Sequence, residues 1–286
     1  MDVEHVLVPL DGSEFALQAL PTARRLAARL DAELHTISIA DTEDEADRLR
    51  LLAGAVLGTD AGDERVLAAT GIDAGEAIAQ RAAELAGCVV CLTTHGRGRL
   101  SGAVTGSVAR SVMQHSSDAV VALGPMADNP GWSPRPRSWP EPLSVPRIVA
   151  CVDGSDPSEQ VLPIASAWAR ALAMSLSIVT VVEDVPATLR PAEPGGRYGS
   201  SGDADGYVEA LAQRWRDAVP HVEGLVLRDP IGPADAIRVH LEQQPAGLVA
   251  VTTHARSGLD RVRLGAAAAS IVRASVAPCL VAPVRT

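Results

Sequence analysis

Two places in the first half of the chain carry residue types whose spacing suits work on a phosphorylated ligand. The first is Val8-Pro9-Leu10-Asp11-Gly12-Ser13, where an apolar run ends in an acid, a glycine and a hydroxyl. A carboxylate there can hold ribose hydroxyls or, through a divalent cation, phosphates. The same residues also suit a plain turn, since Asp-Gly marks turns and Ser caps the helix that follows. Their recurrence as Asp153-Gly154-Ser155 fits either reading. The second place is Thr93-Thr94-His95-Gly96-Arg97-Gly98-Arg99, followed by Ser101-Gly102 and then by Gly106-Ser107-Val108 at the start of an amphipathic stretch. Glycine lets backbone amides approach a ligand closely. Successive amides form an anion nest, to which a helix N-terminus adds its dipole. A phosphate cradle and a Gly/Arg-rich surface loop both satisfy that composition.

Other constellations are weaker. Cys88-x-x-Cys91 lies within an apolar run expected to be a buried strand, whereas redox pairs sit at helix N-termini. His95 and His254 have no carboxylate or cysteine cluster around them in the sequence, so no metal site is expected. No GxSxG elbow supports a Ser-His-Asp nucleophile. The acidic run from Asp41 to Asp47 reads as a solvated helix start favoured by the helix dipole. The chain has no lysine, so all 25 basic residues are arginine. That excludes a GxxxxGK[ST] phosphate loop and lysine covalent chemistry. With a net charge of −10 and only one Phe, two Tyr and four Trp, neither nucleic acid nor an anionic membrane is an expected partner. No apolar run approaches the length of a membrane span, and a cytoplasmic protein is expected.

These loops need a scaffold that brings strand ends together, and the chain repeats one. Residues 6–13 match residues 148–155 at an offset of 142, which also maps Pro21 onto Pro163. Thr93-Thr94-His95 matches Thr252-Thr253-His254 at an offset of 159, which maps Gly106 onto Gly265. The difference, 159 − 142 = 17, is a net insertion in the second half, expected near residues 186–206. Two tandem domains are expected, 1–123 and 147–286. The linker between them, 124–146, holds seven of the chain's 20 prolines and reads as semi-rigid. Trp132 and Trp139 either pin it to a domain surface or stay exposed on a partly disordered connector.

In the first half, strands are expected at 5–10, 34–39, 65–69, 89–93 and 119–123, and helices at 14–30, 74–85 and 104–115. Near-continuous apolar strands alternating with amphipathic helices predict an α/β protein. Its form is two tandem doubly wound, Rossmann-like domains, each a five-stranded parallel sheet flanked by helices. Such sheets take ligands at strand carboxyl ends where the strand order reverses, which singles out the first and fourth strands.

The spaced residues resemble the universal stress protein family in its tandem two-domain form. That family's nucleotide-binding pattern is G-x-x-G, nine residues, then G-[ST]. The first half reads Thr93-Thr94-His95-Gly96, nine residues, then Gly106-Ser107, departing only at Thr93. The resemblance spans both halves and leaves out the linker. It implies ATP, with Mg2+ left open, held between the first-strand and fourth-strand loops. Asp11 would sit near ribose or metal, the backbone of Ile39 and Ala40 near adenine, and Gly96, Gly106 and Ser107 at the phosphates. Pro9, Leu10, Thr93, His95, Arg97 and Val108 complete that site. Gly98 joins from the loop reading alone, having no place in the spaced pattern. The second-half counterparts are Asp153, Thr252, His254, Arg256 and Gly265. The family also implies that the two domains pair within the chain through their last strands, 119–123 with Cys279–Ala282, hiding two apolar edges.

The second half departs further, reading Thr252-Thr253-His254-Ala255, nine residues, then Gly265-Ala266. If Gly96 needs positive φ, Ala255 is strained by about 1 kcal/mol or more, or its loop differs. Loss of the serine hydroxyl removes a phosphate hydrogen bond of about 1.5–3 kcal/mol. The first half is therefore expected to bind better. Three functions remain: a regulatory ATP-binding stress-response module, a slow ATPase or adenylyl-chemistry enzyme, and a nucleotide-free interaction protein. The lack of lysine and of an evident water-positioning base favours the module. ATP or another adenine nucleotide is the expected partner, and a homodimer is compatible with all three.

Overall fold

The computed structural model describes residues 3–57, 64–68, 71–94, 106–127, 143–183, 204–255, 262–263 and 265–284. In the first half, β1 (His5–Pro9) leads into α1 (Glu14–Leu17) and α2 (Ala19–Leu30), then β2 (Glu33–Ala40), α3 (Glu43–Leu57) and β3 (Glu64–Ala68). There follow α4 (Ala74–Glu84), β4 (Cys88–Thr93), α5 (Ser107–His115) and β5 (Val120–Leu123). The second half repeats the order with β6 (Arg147–Cys151), α6 (Asp156–Glu159), α7 (Val161–Ala171), β7 (Ser175–Glu183), α8 (Ala204–Trp215) and β8 (Val222–Asp229). It continues through α9 (Pro233–Gln243), β9 (Leu248–Thr252), β10 (His254–Ala255), β11 (Val262–Arg263), α10 (Ala266–Ala274) and β12 (Cys279–Ala282).

Ten strands form one sheet in the order β3-β2-β1-β4-β5-β12-β9-β6-β7-β8. Within each half every pairing of this sheet is parallel. At the centre β5 and β12 run antiparallel, Leu280 opposite Val121 and Val281 opposite Val120. Sequence explains this seam: all residues of both strands are buried, so neither could remain an edge. Because side chains alternate along each strand, two cores form, one on each face. Val6, Val8, Leu26, Val121, Ile148, Trp168 and Leu280 share one, and Leu7, Val90, Val112, Val249, Ile271 and Val281 the other. Both cores cross the seam. Arg29 at the end of α2 reinforces it, donating to the carbonyls of Leu143 (2.7 Å) and Leu172.

One expected helix is two. Residues 14–30 divide at Gln18 into α1 and α2, and residue Gln160 divides α6 from α7 in the same way. Pro21 has no amide for the Leu17 carbonyl and its ring crowds that group; Pro163 does the same to Glu159. The expected insertion at 186–206 lies between β7 and α8. Residues 204–206 open α8, and the rest lies outside the described residues. Linker residues 128–142, with Trp132 and Trp139, also lie outside them. The acidic run does start a helix, with Glu43, Asp44 and Glu45 in the first turn of α3. Among the described residues no helix is long and apolar enough to cross a membrane.

Candidate functional site

Strand order reverses between β1 and β4 in the first half and between β6 and β9 in the second. Beyond β1, Leu10 is buried and its amide donates to the Ile37 carbonyl of β2 at 2.9 Å, which carries the chain off the end of Pro9. Gly12 then takes φ 78°, and Asp11 Oδ1 accepts from the Ser13 amide (2.9 Å) and hydroxyl (2.6 Å). Ser13 Oγ in turn accepts from the Ala16 amide, capping α1. Asp153, Gly154 (φ 81°) and Ser155 repeat every one of these contacts in the second half. Turn and cap chemistry is thus a property of Asp-Gly-Ser in both halves, and it does not distinguish them.

Thr93 ends β4, and the Thr94 amide donates to the Leu123 carbonyl of β5 at 2.9 Å. The chain returns at Gly106, whose amide donates to the Thr94 carbonyl at 2.7 Å. Both ends of the glycine-rich loop are therefore pinned at the carboxyl end of β4. A Cβ on Gly106 would stand 3.1 Å from the Thr94 oxygen, so the close return suits glycine. Gly106 is the N-cap of α5 and no side-chain hydrogen bond caps it, unlike α1, α4 and α6, which Ser13, Asp73 and Ser155 cap. Ser107 and Val108 are exposed on the first turn. A helix that begins with such amides is receptive to an anion. At the end of β2, Ile39 packs partly buried against one core, and the Ala40 side chain is buried against α3. Only the backbone of Ala40 remains for a ligand. His95, Gly96, Arg97 and Gly98 lie outside the described residues, as does Arg256.

In the second half Thr252 ends β9 and the Thr253 amide donates to the Ala282 carbonyl, the counterpart of Thr94 and Leu123. There the loop begins as a hairpin, His254 opposite Arg263 and Ala255 opposite Val262. Ala255 is thus in a strand, so the expected left-handed strain does not arise. Gly265 caps α10 without a side-chain hydrogen bond, as Gly106 does, but Ala266 follows it.

Two further groups needed tertiary structure to appear. Ser111 Oγ donates to Asp73 Oδ1 (2.7 Å) and lies 3.3 Å from His115 Nδ1. This trio is a clasp, not a nucleophile: the serine proton goes to the aspartate, whereas a catalytic triad places histidine between them. Asp73 also accepts from the Glu76 amide as N-cap of α4, and the Ser111 hydrogen bond, then that amide, hold its carboxyl below the usual range. The close α4–α5 approach requires Gly75, where any Cβ would collide with Ser111. The second group is His5, Glu33 and His35, gathered at the amino ends of β1 and β2. Cys88 and Cys91, by contrast, point into opposite cores and cannot pair. Burial pushes the Cys88 thiol up to about 12 and raises that of Cys91 as well.

The fold and its loop ends define a tandem doubly wound α/β protein. The model of the universal stress protein family matches residues 3–123 and 145–283, and the chain belongs to that family. Universal stress protein Rv1996 of Mycobacterium tuberculosis is 29% identical to it over 197 residues, 68% of this chain and 58% of that protein. The matched stretch therefore spans less than two thirds of that relative. A universal stress protein from Archaeoglobus fulgidus is similar in fold over 99% of both chains, at 16% identity and a TM-score of 0.66. The Pseudomonas aeruginosa protein PA1789 is similar over 98% of this chain and 92% of its own, at 17% identity and a TM-score of 0.54.

Proposed function

We propose that the chain is a regulatory ATP-binding module of the stress response, acting in the cytoplasm, with one competent site in its first half. The observation that carries this reading is the return of Gly106 onto Thr94. It sets the uncapped start of α5 at the switch point beside the Asp11 turn. A triphosphate there meets backbone amides of α5 and the Ser107 hydroxyl, with Asp11 placed toward ribose or a Mg2+ ion and Arg97 in the adjoining loop. Glycine at 106 lets the start of α5 return close to the Thr94 carbonyl, which a Cβ would crowd. Bound nucleotide supplies a conformational signal; no lysine stands ready to neutralise a transferring phosphoryl group.

The test is mass spectrometry of small molecules released from freshly purified protein, joined to calorimetric titration with ATP. About one equivalent per chain is expected, with negligible phosphate release on incubation. Gly106→Trp removes binding, and the gentler Ser107→Ala weakens it if the larger variant does not fold. Two equal sites per chain, or unchanged affinity in folded Gly106→Trp, overturns the assignment. Rapid phosphate release abolished by Asp11→Ala identifies an ATPase instead.

A further inference from the structure

We propose that His5, Glu33 and His35 form a binding site for a divalent transition-metal ion of the Zn2+ class, at the opposite end of the sheet from the ATP site. His5 opens β1 and Glu33 opens β2, and the two are partners in register; His35 lies two residues on, opposite Leu7. The period of two along a strand therefore puts all three side chains on one face. The backbone fixes this corner: the Glu4 amide donates to the Gly87 carbonyl (2.9 Å) and the Glu33 amide to the Glu4 carbonyl (2.8 Å). His5 Nδ1 lies 2.9 Å from His35 Nε2, and Glu33 Oε2 lies 3.5 Å from His35 Nε2 and 3.9 Å from His5 Nδ1.

Those separations suit one ion. With metal–ligand bonds of about 2.0–2.1 Å, neighbouring donors in a tetrahedral zinc site stand about 3.3 Å apart. The three observed distances bracket that value. Two imidazoles and one carboxylate match ions that favour nitrogen, and disfavour Mg2+ and Ca2+, which take oxygen. His35 is 4% exposed, His5 half-buried and Glu33 exposed. The donors thus rest on rigid strands at the base, and the side facing solvent leaves a fourth position for water.

The fold does not need these three residues at this corner. The 142-residue offset puts Arg147, Ser175 and Ser177 at the corresponding positions of the second half. There Arg147 donates to the Pro245 carbonyl (2.8 Å), Ser175 to the Pro146 carbonyl (3.1 Å) and Ser177 to Glu223 (2.6 Å). The same corner is closed there without a histidine at any of the three positions. Histidine, histidine and glutamate in the first half are therefore a chemical choice beyond packing. Sequence reading missed the site because 28 residues separate His5 from Glu33 (33 − 5), and the ligand spacing fits no local motif.

The experiment uses the untagged full chain, stripped with a chelator and titrated with Co2+, which reports tetrahedral nitrogen ligation by its visible absorption. One equivalent is expected to bind, Zn2+ to displace it, and the thermal midpoint to rise with Zn2+. His5→Gln and Glu33→Gln alter the more accessible ligands and are expected to lose the absorption while keeping the circular dichroism of the parent. His221→Gln, an exposed histidine of the second half, is expected to leave the titration unchanged. No absorption at stoichiometric Co2+, or undiminished binding in folded His5→Gln, overturns the proposal. ATP titration of the same variants is expected to match the parent, which keeps this result separate from the nucleotide reading.

Discussion

At the ends of β1 and β6 the two halves share the same turn and cap. Asp11 and Asp153 each accept from a serine amide and hydroxyl, Gly12 and Gly154 share the left-handed conformation, and Ser13 and Ser155 cap matching helices. Beyond β4 and β9 the sequences part: Gly106-Ser107 opens α5, whereas Gly265-Ala266 opens α10 after the β10–β11 hairpin. They part again at the amino ends, where two histidines and a glutamate face an arginine and two serines. The turn residues are thus alike in the two halves, and the differences lie after the fourth strand of each half and at the amino-terminal corner of the sheet.

The largest effect tests that seam. Val121→Asp places an unpaired charge in the core that Val121 shares with Leu280 across the seam, and is expected to cost about 3–5 kcal/mol. Calorimetry should show the whole chain destabilised; a second-half transition left at its original temperature means the halves fold independently. Next in size is a repair of the second site. Ala255→Gly with Ala266→Ser restores the spaced pattern, and the new hydroxyl is worth about 1.5–3 kcal/mol to a charged acceptor. Titration should then find a second ATP per chain, tighter by about tenfold or more than any residual parent site. A stoichiometry still at one shows that the hairpin, not the side chains, decides.

Smaller effects test the likeness. Ser13→Ala and Ser155→Ala should each cost about 1 kcal/mol in denaturant unfolding. A loss confined to one variant contradicts their equivalence. Smallest is the acid response of Asp73, which caps α4 where Gly232 caps α9. Its folded carboxyl titrates below the ordinary value, so its stabilisation is present above about pH 4 and disappears as pH falls through the lowered folded value. The stability gap between parent and Asp73→Asn should therefore narrow on acidification below about pH 4. A gap independent of pH assigns its effect to packing.

Local rules made much of the fold legible. Apolar runs of four to nine residues bounded by turn formers mark strands, and Asp-Gly-Ser declares a turn and a cap through its own side chains. The breaks at Gln18 and Gln160 were open to the same kind of reasoning, through the carbonyls that Pro21 and Pro163 leave unbonded. The clasp of Ser111 on Asp73 was not, because its partners are 38 residues apart and meet only when α4 and α5 dock over Gly75. Nor was the hairpin at Ala255, since a two-residue strand carries no periodic signal.

By itself the sequence determined the repeat, the doubly wound class, the Asp-Gly-Ser turns and the spaced Thr93 to Ser107 motif, all fixed by short-range conformational preference. Only tertiary structure decided that Gly106 lands on Thr94, that Ala255 avoids strain in a hairpin, and that His35 comes to rest 2.9 Å from His5. Those outcomes depend on strand register and helix docking. Register and docking are set by the whole buried surface, not by the residues that meet.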